Sequence, residues 1–103
     1  VMGMTRQGAL ELGPLGITVN AVAPGPVDTP MTRVTHNDET REGYQKLIPV
    51  GRYGTVDEMA DAAVFLAGEK AGYVNGHILY VDGGYIAAGI SGDFAGYIDP
   101  IKS

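Results

Sequence analysis

The residues best placed for chemistry stand together in one short run, Pro24-Gly25-Pro26-Val27-Asp28-Thr29-Pro30. The run offers one hydroxyl and a series of backbone polar groups. Its Pro-Gly-Pro corner holds N–H and C=O groups in a fixed array, since each proline ring locks one backbone dihedral. Spacing alone also fits an ordinary stiffened turn, because turns are rich in proline and glycine. Elsewhere the candidates are sparse. His36 lies in a polar stretch with no second histidine or carboxylate cluster at metal-ligand spacing, so it reads as a solvated loop histidine and no metal site is expected. His77 reads as a satisfied polar contact. With no cysteine in the chain, disulfides and thiolate metal sites are excluded.

A strand must carry that corner. Ile17, Val19, Val22 and Ala23 form a run apolar on both faces, as in a strand buried in a parallel sheet. The strand is expected to stop at Pro24, which cannot extend the ladder with an N–H. In open α/β sheets, ligands bind just beyond the carboxyl ends of the strands. Val1 to Leu12 reads as a helix with Met4, Ala9 and Leu12 near one stripe, and Met2 and Met4 are expected in the core. That pattern is already under way at Val1, so a natural start is not expected there. Gly13-Pro14 ends it, and Leu15-Gly16 turns the chain.

Further on, Thr32 to Pro49 is polar in its first half, with a short helix from Asp38 to Leu47. Thr55 and Glu58 have the spacing of a capping box, and the helix they open runs to about Ala67. Met59, Ala62, Ala63, Phe65 and Leu66 give it a broad apolar face. Ile78 to Val81 is a second buried strand, stopped at Asp82-Gly83-Gly84, with no helix expected after the glycine pair. Strand, helix and strand form a β-α-β unit with parallel strands. The tail after Gly84 is apolar enough to pack on something, with Ile86, Ile90, Phe94, Tyr97 and Ile98 as anchors.

Composition narrows the function. The net charge of −5, with no basic cluster, gives nucleic-acid binding little support. No apolar run reaches the roughly 18 residues of a membrane span. No secretory leader is visible. Absence of cysteine fits a reducing, cytoplasmic compartment. A length of 103 residues allows one small domain, marginal in burial.

The run from Asn20 to Met31, N-A-V-A-P-G-P-V-D-T-P-M, resembles the segment after the sixth strand of the short-chain dehydrogenase/reductase family. Two further pieces resemble that family in the same order: P-x-G-R-x-G at Pro49 to Gly54, and the hydrophobic run ending V-D-G-G at Val81 to Gly84. The resemblance covers Val1 to Gly84. It implies an α/β fold, the C-terminal portion of a Rossmann-like doubly wound parallel sheet: helix, strand, lid, helix, strand, tail. It implies that residues 1–84 complete a nicotinamide-dinucleotide-binding domain, with a substrate lid over 32–49 and an extension over 85–103.

Carried over residue by residue, Pro24, Gly25, Val27 and Thr29 are implied to hold the nicotinamide end of NAD or NADP. Val27 would offer backbone to the carboxamide, and Thr29 its hydroxyl to the carboxamide or a pyrophosphate oxygen. Met31, Val34, Leu47 and Ile48 would be the lid's apolar contacts with substrate. Arg52 is read as structural, bonded to carbonyls or to a carboxylate at a subunit contact. No catalytic residue is expected here. Tyr44 is followed by Lys46, two positions on, whereas the family's pattern is Tyr-x-x-x-Lys. The catalytic Ser, Tyr and Lys and the Gly-rich loop would lie upstream of Val1.

The implied whole is an NAD(P)-dependent oxidoreductase acting on a small alcohol or ketone, as a homo-oligomer, dimer or tetramer. The 103 residues alone are expected to be inactive. The alternative is a catalytically inactive fragment that serves only as an association module. In either case the strand over Ile17–Ala23 needs a partner, from an upstream segment or another chain, because a long apolar edge invites aggregation.

Overall fold

The computed structural model describes residues 2–91. In chain order the described elements are α1 (Met2–Leu12), β1 (Ala21–Pro24), β2 (Val27–Asp28), α2 (Pro30–Thr35), α3 (Asp38–Leu47), β3 (Gly54–Thr55), α4 (Val56–Ala67), β4 (Ile78–Val81) and α5 (Tyr85–Ser91). They belong to two units, residues 2–24 with 57–81 and residues 25–56 with 82–91. The mixed α/β class with parallel strands is the expected one.

One parallel ladder organises the first unit. β1 pairs with β4, Ala21 opposite Ile78 through Pro24 opposite Val81. The strand is shorter than expected and shifted, beginning at Ala21 rather than Ile17. Side chains hold the residues before it. The Val19 N–H donates to Asn75 Oδ1 at 2.9 Å, and the Gly76 N–H donates to the Val19 carbonyl at 2.9 Å. Asn20 accepts from the His77 N–H at 2.9 Å and donates to the Val74 carbonyl at 2.9 Å. Two asparagine amides thus do the work of ladder bonds. Pro24 lies inside the strand, not beyond it: the Ala21 N–H donates to the His77 carbonyl, so alternate residues of β1 bond to β4 and Pro24 turns its nitrogen away from the ladder. Among the described residues β4 is the single neighbour of β1.

α1 ends in a 3-10 turn, Gly13–Leu15, and Gly16 takes a φ of +82° as the chain reverses, a left-handed conformation glycine adopts without steric cost. Its buried positions are Thr5 and Ala9, four apart. Met2 and Met4, expected in the core, are exposed. The inner face takes only small side chains because the segments around Val19 and Gly76 run close to it. A Cβ on Gly8 would stand 3.2 Å from Val19 Cγ1, and one on Gly76 would stand 3.3 Å from Ala9 Cβ. α4 turns Met59, Ala62 and Leu66 inward to half-burial, while Ala63, Val64 and Phe65 are exposed. Its inward stripe is therefore narrower than the expected face.

In the second unit a two-residue parallel ladder joins Val27 to Gly54 and Asp28 to Thr55. The sequence suggests a tight turn at Val27-Asp28 and a helix cap at Thr55, and no strand at either place. It also suggests a loop where α2 stands. Thr29 caps α2, its hydroxyl accepting from the Thr32 N–H at 3.1 Å while Thr32 Oγ1 accepts from the Thr29 N–H at 2.8 Å. Pro30 takes the first helical position, where its missing N–H costs nothing. α3 has the expected bounds, with Asn37 as its cap and Asp38 and Glu39 in its first turn.

Among the described residues the buried side chains of this unit are Ile48 and Tyr53. Gly83 lies over Ile48 with a φ of +63°, and a Cβ there would fall 2.8 Å from Ile48 Cγ2. α5 follows the Gly83-Gly84 pair directly, where no helix was expected. Asp82 starts it, accepting from the N–H groups of Gly84 at 2.9 Å and Ile86 at 3.1 Å. Of the expected tail anchors, Ile86 is 44% exposed. The side chain of Ile90, and Phe94, Tyr97 and Ile98 altogether, lie outside the described residues.

Candidate functional site

The predicted ligand segment starts at the end of one ladder and enters the other. Pro24 closes β1 in the first unit. Gly25 opens the second unit, and a Cβ there would lie 2.7 Å from Asp82 Cβ and 3.0 Å from Asp82 Cα. Only glycine fits so close to a second backbone.

β2 then fixes which way Val27 presents its backbone. The Gly54 N–H donates to the Pro26 carbonyl at 3.0 Å, opposite Val27. In a parallel ladder the residues flanking a paired position supply the bonds, so Val27 turns its own N–H and C=O toward the other edge of β2. There the Val27 carbonyl accepts from Thr32 Oγ1 at 3.0 Å. Thr29, two residues on, brings its hydroxyl to the same stretch. A backbone donor, a backbone acceptor and a hydroxyl form a set that matches a primary carboxamide.

A charged and aromatic cluster surrounds this stretch. Arg33 Nε donates to Asp28 Oδ1 at 3.0 Å, and Arg41 Nη2 lies 3.7 Å from the same oxygen. The Arg33 hydrogen bond holds the Asp28 carboxyl below the usual carboxylate range, with both guanidinium charges adding to it. The Arg41 guanidinium carbon sits 4.4 Å over the Tyr53 ring. Burial pushes the Tyr53 phenol above its ordinary value. His36, expected to be a solvated loop residue, is half-buried. Its ring stacks on Tyr44 with centroids 5.3 Å apart, and its Nδ1 lies 2.8 Å from Tyr53 Oη. Tyr44 meets Tyr85 at 6.3 Å on its other side.

The predicted lid residues divide. Met31, Val34 and Leu47 are exposed, whereas Ile48 is packed beneath Gly83 and does not reach open surface as the chain stands. Arg52 donates to the Tyr53 carbonyl at 3.0 Å, in keeping with its expected bond to a carbonyl. Sequence reasoning missed Thr32, Arg41, Tyr53 and the pairing of β2 with β3. Thr29-Pro30, a capping residue followed by a proline, was a readable helix start. Nothing comparable marked Tyr53. An open hollow of about 420 Å³, lined by Gly13, Ile17, Thr18, Tyr73 and Asn75 among others, belongs to the first unit and contains none of the predicted site residues. Among the described residues no three His, Asp or Glu side chains gather as a metal site, and no helix is long and apolar enough to cross a membrane.

Comparison with known proteins gives this arrangement a context. Residues 1–86 match the family model described as enoyl-(acyl carrier protein) reductase. A 2-dehydro-3-deoxy-D-gluconate 5-dehydrogenase of Bacillus subtilis is 48% identical over 88 residues, 84% of this chain and 35% of that protein. The 3-oxoacyl-(acyl-carrier-protein) reductase of Aquifex aeolicus is 42% identical over 84 residues, 82% of this chain and 34% of that protein. Among solved structures, a gluconate 5-dehydrogenase of Burkholderia cenocepacia in complex with NADP and tartrate superposes with a TM-score of 0.76 at 34% identity, over 84% of this chain and 34% of that one. The chain spans about a third of the length of the curated relatives it matches.

Proposed function

This chain belongs to the short-chain dehydrogenase/reductase family, and from that premise we propose that it is the C-terminal part of an NAD(P)-dependent oxidoreductase interconverting an alcohol and a carbonyl. The observation that carries the reading is the edge of β2: the Val27 backbone and the Thr29 hydroxyl offer a carboxamide its complement. A bound nicotinamide would supply or accept the hydride. In this reading Val27 and Thr29 hold its amide, and Pro24 and Gly25 stand beside them at the nicotinamide end. Met31, Val34 and Leu47 meet substrate from the lid, with Ile48 supporting them from below. The catalytic Ser, Tyr and Lys and the Gly-rich loop belong to sequence preceding Val1.

The relatives point to two probes, a sugar acid and a 3-oxoacyl thioester. Association into a dimer or tetramer completes the proposal. Met4, Leu10, Val64 and Phe65 are exposed on α1 and α4, and the second edge of β1 has no described strand. Those same faces favour the other reading, a non-catalytic association module.

Nicotinamide binding by the full-length protein that carries this chain separates the two. We expect saturable NADPH or NADH binding by fluorescence titration, and turnover with acetoacetyl-CoA or D-gluconate. Thr29→Ala should weaken coenzyme binding by about three- to tenfold, the worth of one hydrogen bond, and Thr29→Ser should restore it. Residues 1–103 alone should show no micromolar affinity. A full-length protein that binds neither coenzyme overturns the reading in favour of the association module.

A further inference from the structure

We infer that His36 and Tyr53 are positioning residues, a brace that fixes the lid helix α2 against the strand bearing the nicotinamide contacts. The inference rests on the reading of residues 32–49 as a substrate lid.

The geometry is a closed ring within the second unit. From β2 the chain passes through the cap Thr29 into α2, and His36 is the first residue past that helix. His36 Nδ1 reaches Tyr53 Oη at 2.8 Å. Tyr53 directly precedes Gly54, and Gly54 pairs with Val27 in β2. One side-chain contact therefore ties the far end of α2 back to the strand from which it departs.

α2 needs such a tie. It has six residues, far below the ~12–15 at which an isolated helix becomes even marginal. Its start is secured by the Thr29–Thr32 pair. Its end is secured by His36, whose N–H donates to the Thr32 carbonyl at 2.8 Å and whose ring is stacked on Tyr44 and set edge-on to Tyr53. Met31 and Val34, three apart and so on one face, are 74% and 86% exposed. They are the apolar surface α2 offers to a substrate, and the brace sets where that surface stands. Tyr53 is itself held firmly: it is buried, Arg41 covers its ring, and Tyr44 meets it edge-on at 6.2 Å. Its hydroxyl thus ties a short helix to a buried side chain.

The test uses Tyr53→Phe, which removes one oxygen and keeps the ring contacts, together with His36→Phe and the double variant in the full-length protein. Amide exchange at Arg33 to His36 should quicken by about three- to tenfold in each single variant, with the β1–β4 amides unchanged. The double variant should be no worse than either single, the sign of one shared contact. His36→Asn, which keeps an acceptor near Nδ1, should recover part of the loss. With acetoacetyl-CoA or D-gluconate the substrate KM should rise by a similar factor, while kcat and the coenzyme KM hold. Unchanged α2 exchange in Tyr53→Phe, or additive single effects, would overturn the brace. If wild-type protein turns over neither substrate, the lid reading falls, and the exchange comparison still decides whether the brace exists.

Discussion

The two units hold themselves together by different means. In the first, a four-residue ladder carries the fold, and the asparagines Asn20 and Asn75 prolong it by bonding to main-chain groups. In the second, the ladder is only two residues long, and side chains carry the rest: His36 on Tyr44 and Tyr53, Arg41 over Tyr53, and Ile48 under Gly83. The first suits a frame, because backbone pairing tolerates varied side chains. The second suits a ligand-shaped region, because its geometry follows from which side chains are present.

Substitution at the tightest point of the second unit should be the most damaging. Gly25→Ala places a methyl 2.7 Å from Asp82 Cβ and 3.0 Å from Asp82 Cα. Neither can swing aside as the end of a flexible side chain would, so backbone must move. We expect a loss of about 2–3 kcal/mol, the upper part of the range for overpacking, read as a lowered urea midpoint. Wild-type stability in Gly25→Ala would mean that the approach of residue 25 to Asp82 is not a constraint, and that the second unit is looser than its side-chain contacts suggest.

A smaller loss is expected in the first unit from Asn75→Ala. The change removes the acceptor for the Val19 N–H and the donor to the Ala9 carbonyl. Asn75 is exposed, so water can replace part of what is lost, and about 1–2 kcal/mol is expected. Amide exchange sharpens the comparison. Protection should fall most at Val19, Gly76 and Ala21, and least at Gly54 and Ile48. Equal loss everywhere would mean that the side-chain bonds of Asn75 are not a local device of the first unit.

The same difference explains what the amino-acid pattern revealed. Regular hydrophobic spacing and clear stops made α1, α3, α4 and β4 legible, the last three with the expected bounds. β2 and β3 were not legible, because two residues carry no period. The start of β1 was misplaced because Val19 and Asn20 look like strand but bond through amides and loop backbone. Met2 and Met4 are apolar enough for a core, yet the close approach at Gly8 selects the face bearing Thr5 and Ala9. In the candidate site, resemblance singles out the Pro-Gly corner and Thr29. Nothing singles out Tyr53: its partners are 17 residues away at His36, 12 at Arg41 and 9 at Tyr44, and contacts of that kind leave no local mark.

The smallest effect is expected from the Asp28–Arg33 pair, and its pH dependence is the sharper measurement. Arg33 is 68% exposed in this bridge, so water and salt screen it, and Arg33→Met at neutral pH should shift stability within the scatter of surface substitutions. The carboxyl of Asp28 is held below its ordinary range in the folded chain, first by the Arg33 hydrogen bond. A depressed acid contributes stability at pH values above its unfolded pKa and loses it as pH falls through the folded one. Acidification from neutral pH should therefore cost wild type more than Arg33→Met, with the difference developing at and below the ordinary carboxylate range. High salt should shrink that difference. Parallel acid curves for the two proteins would show that Arg33 does not hold the Asp28 charge, and would leave Arg41, which lies over the ring of Tyr53 and 3.7 Å from Asp28, as the residue that does.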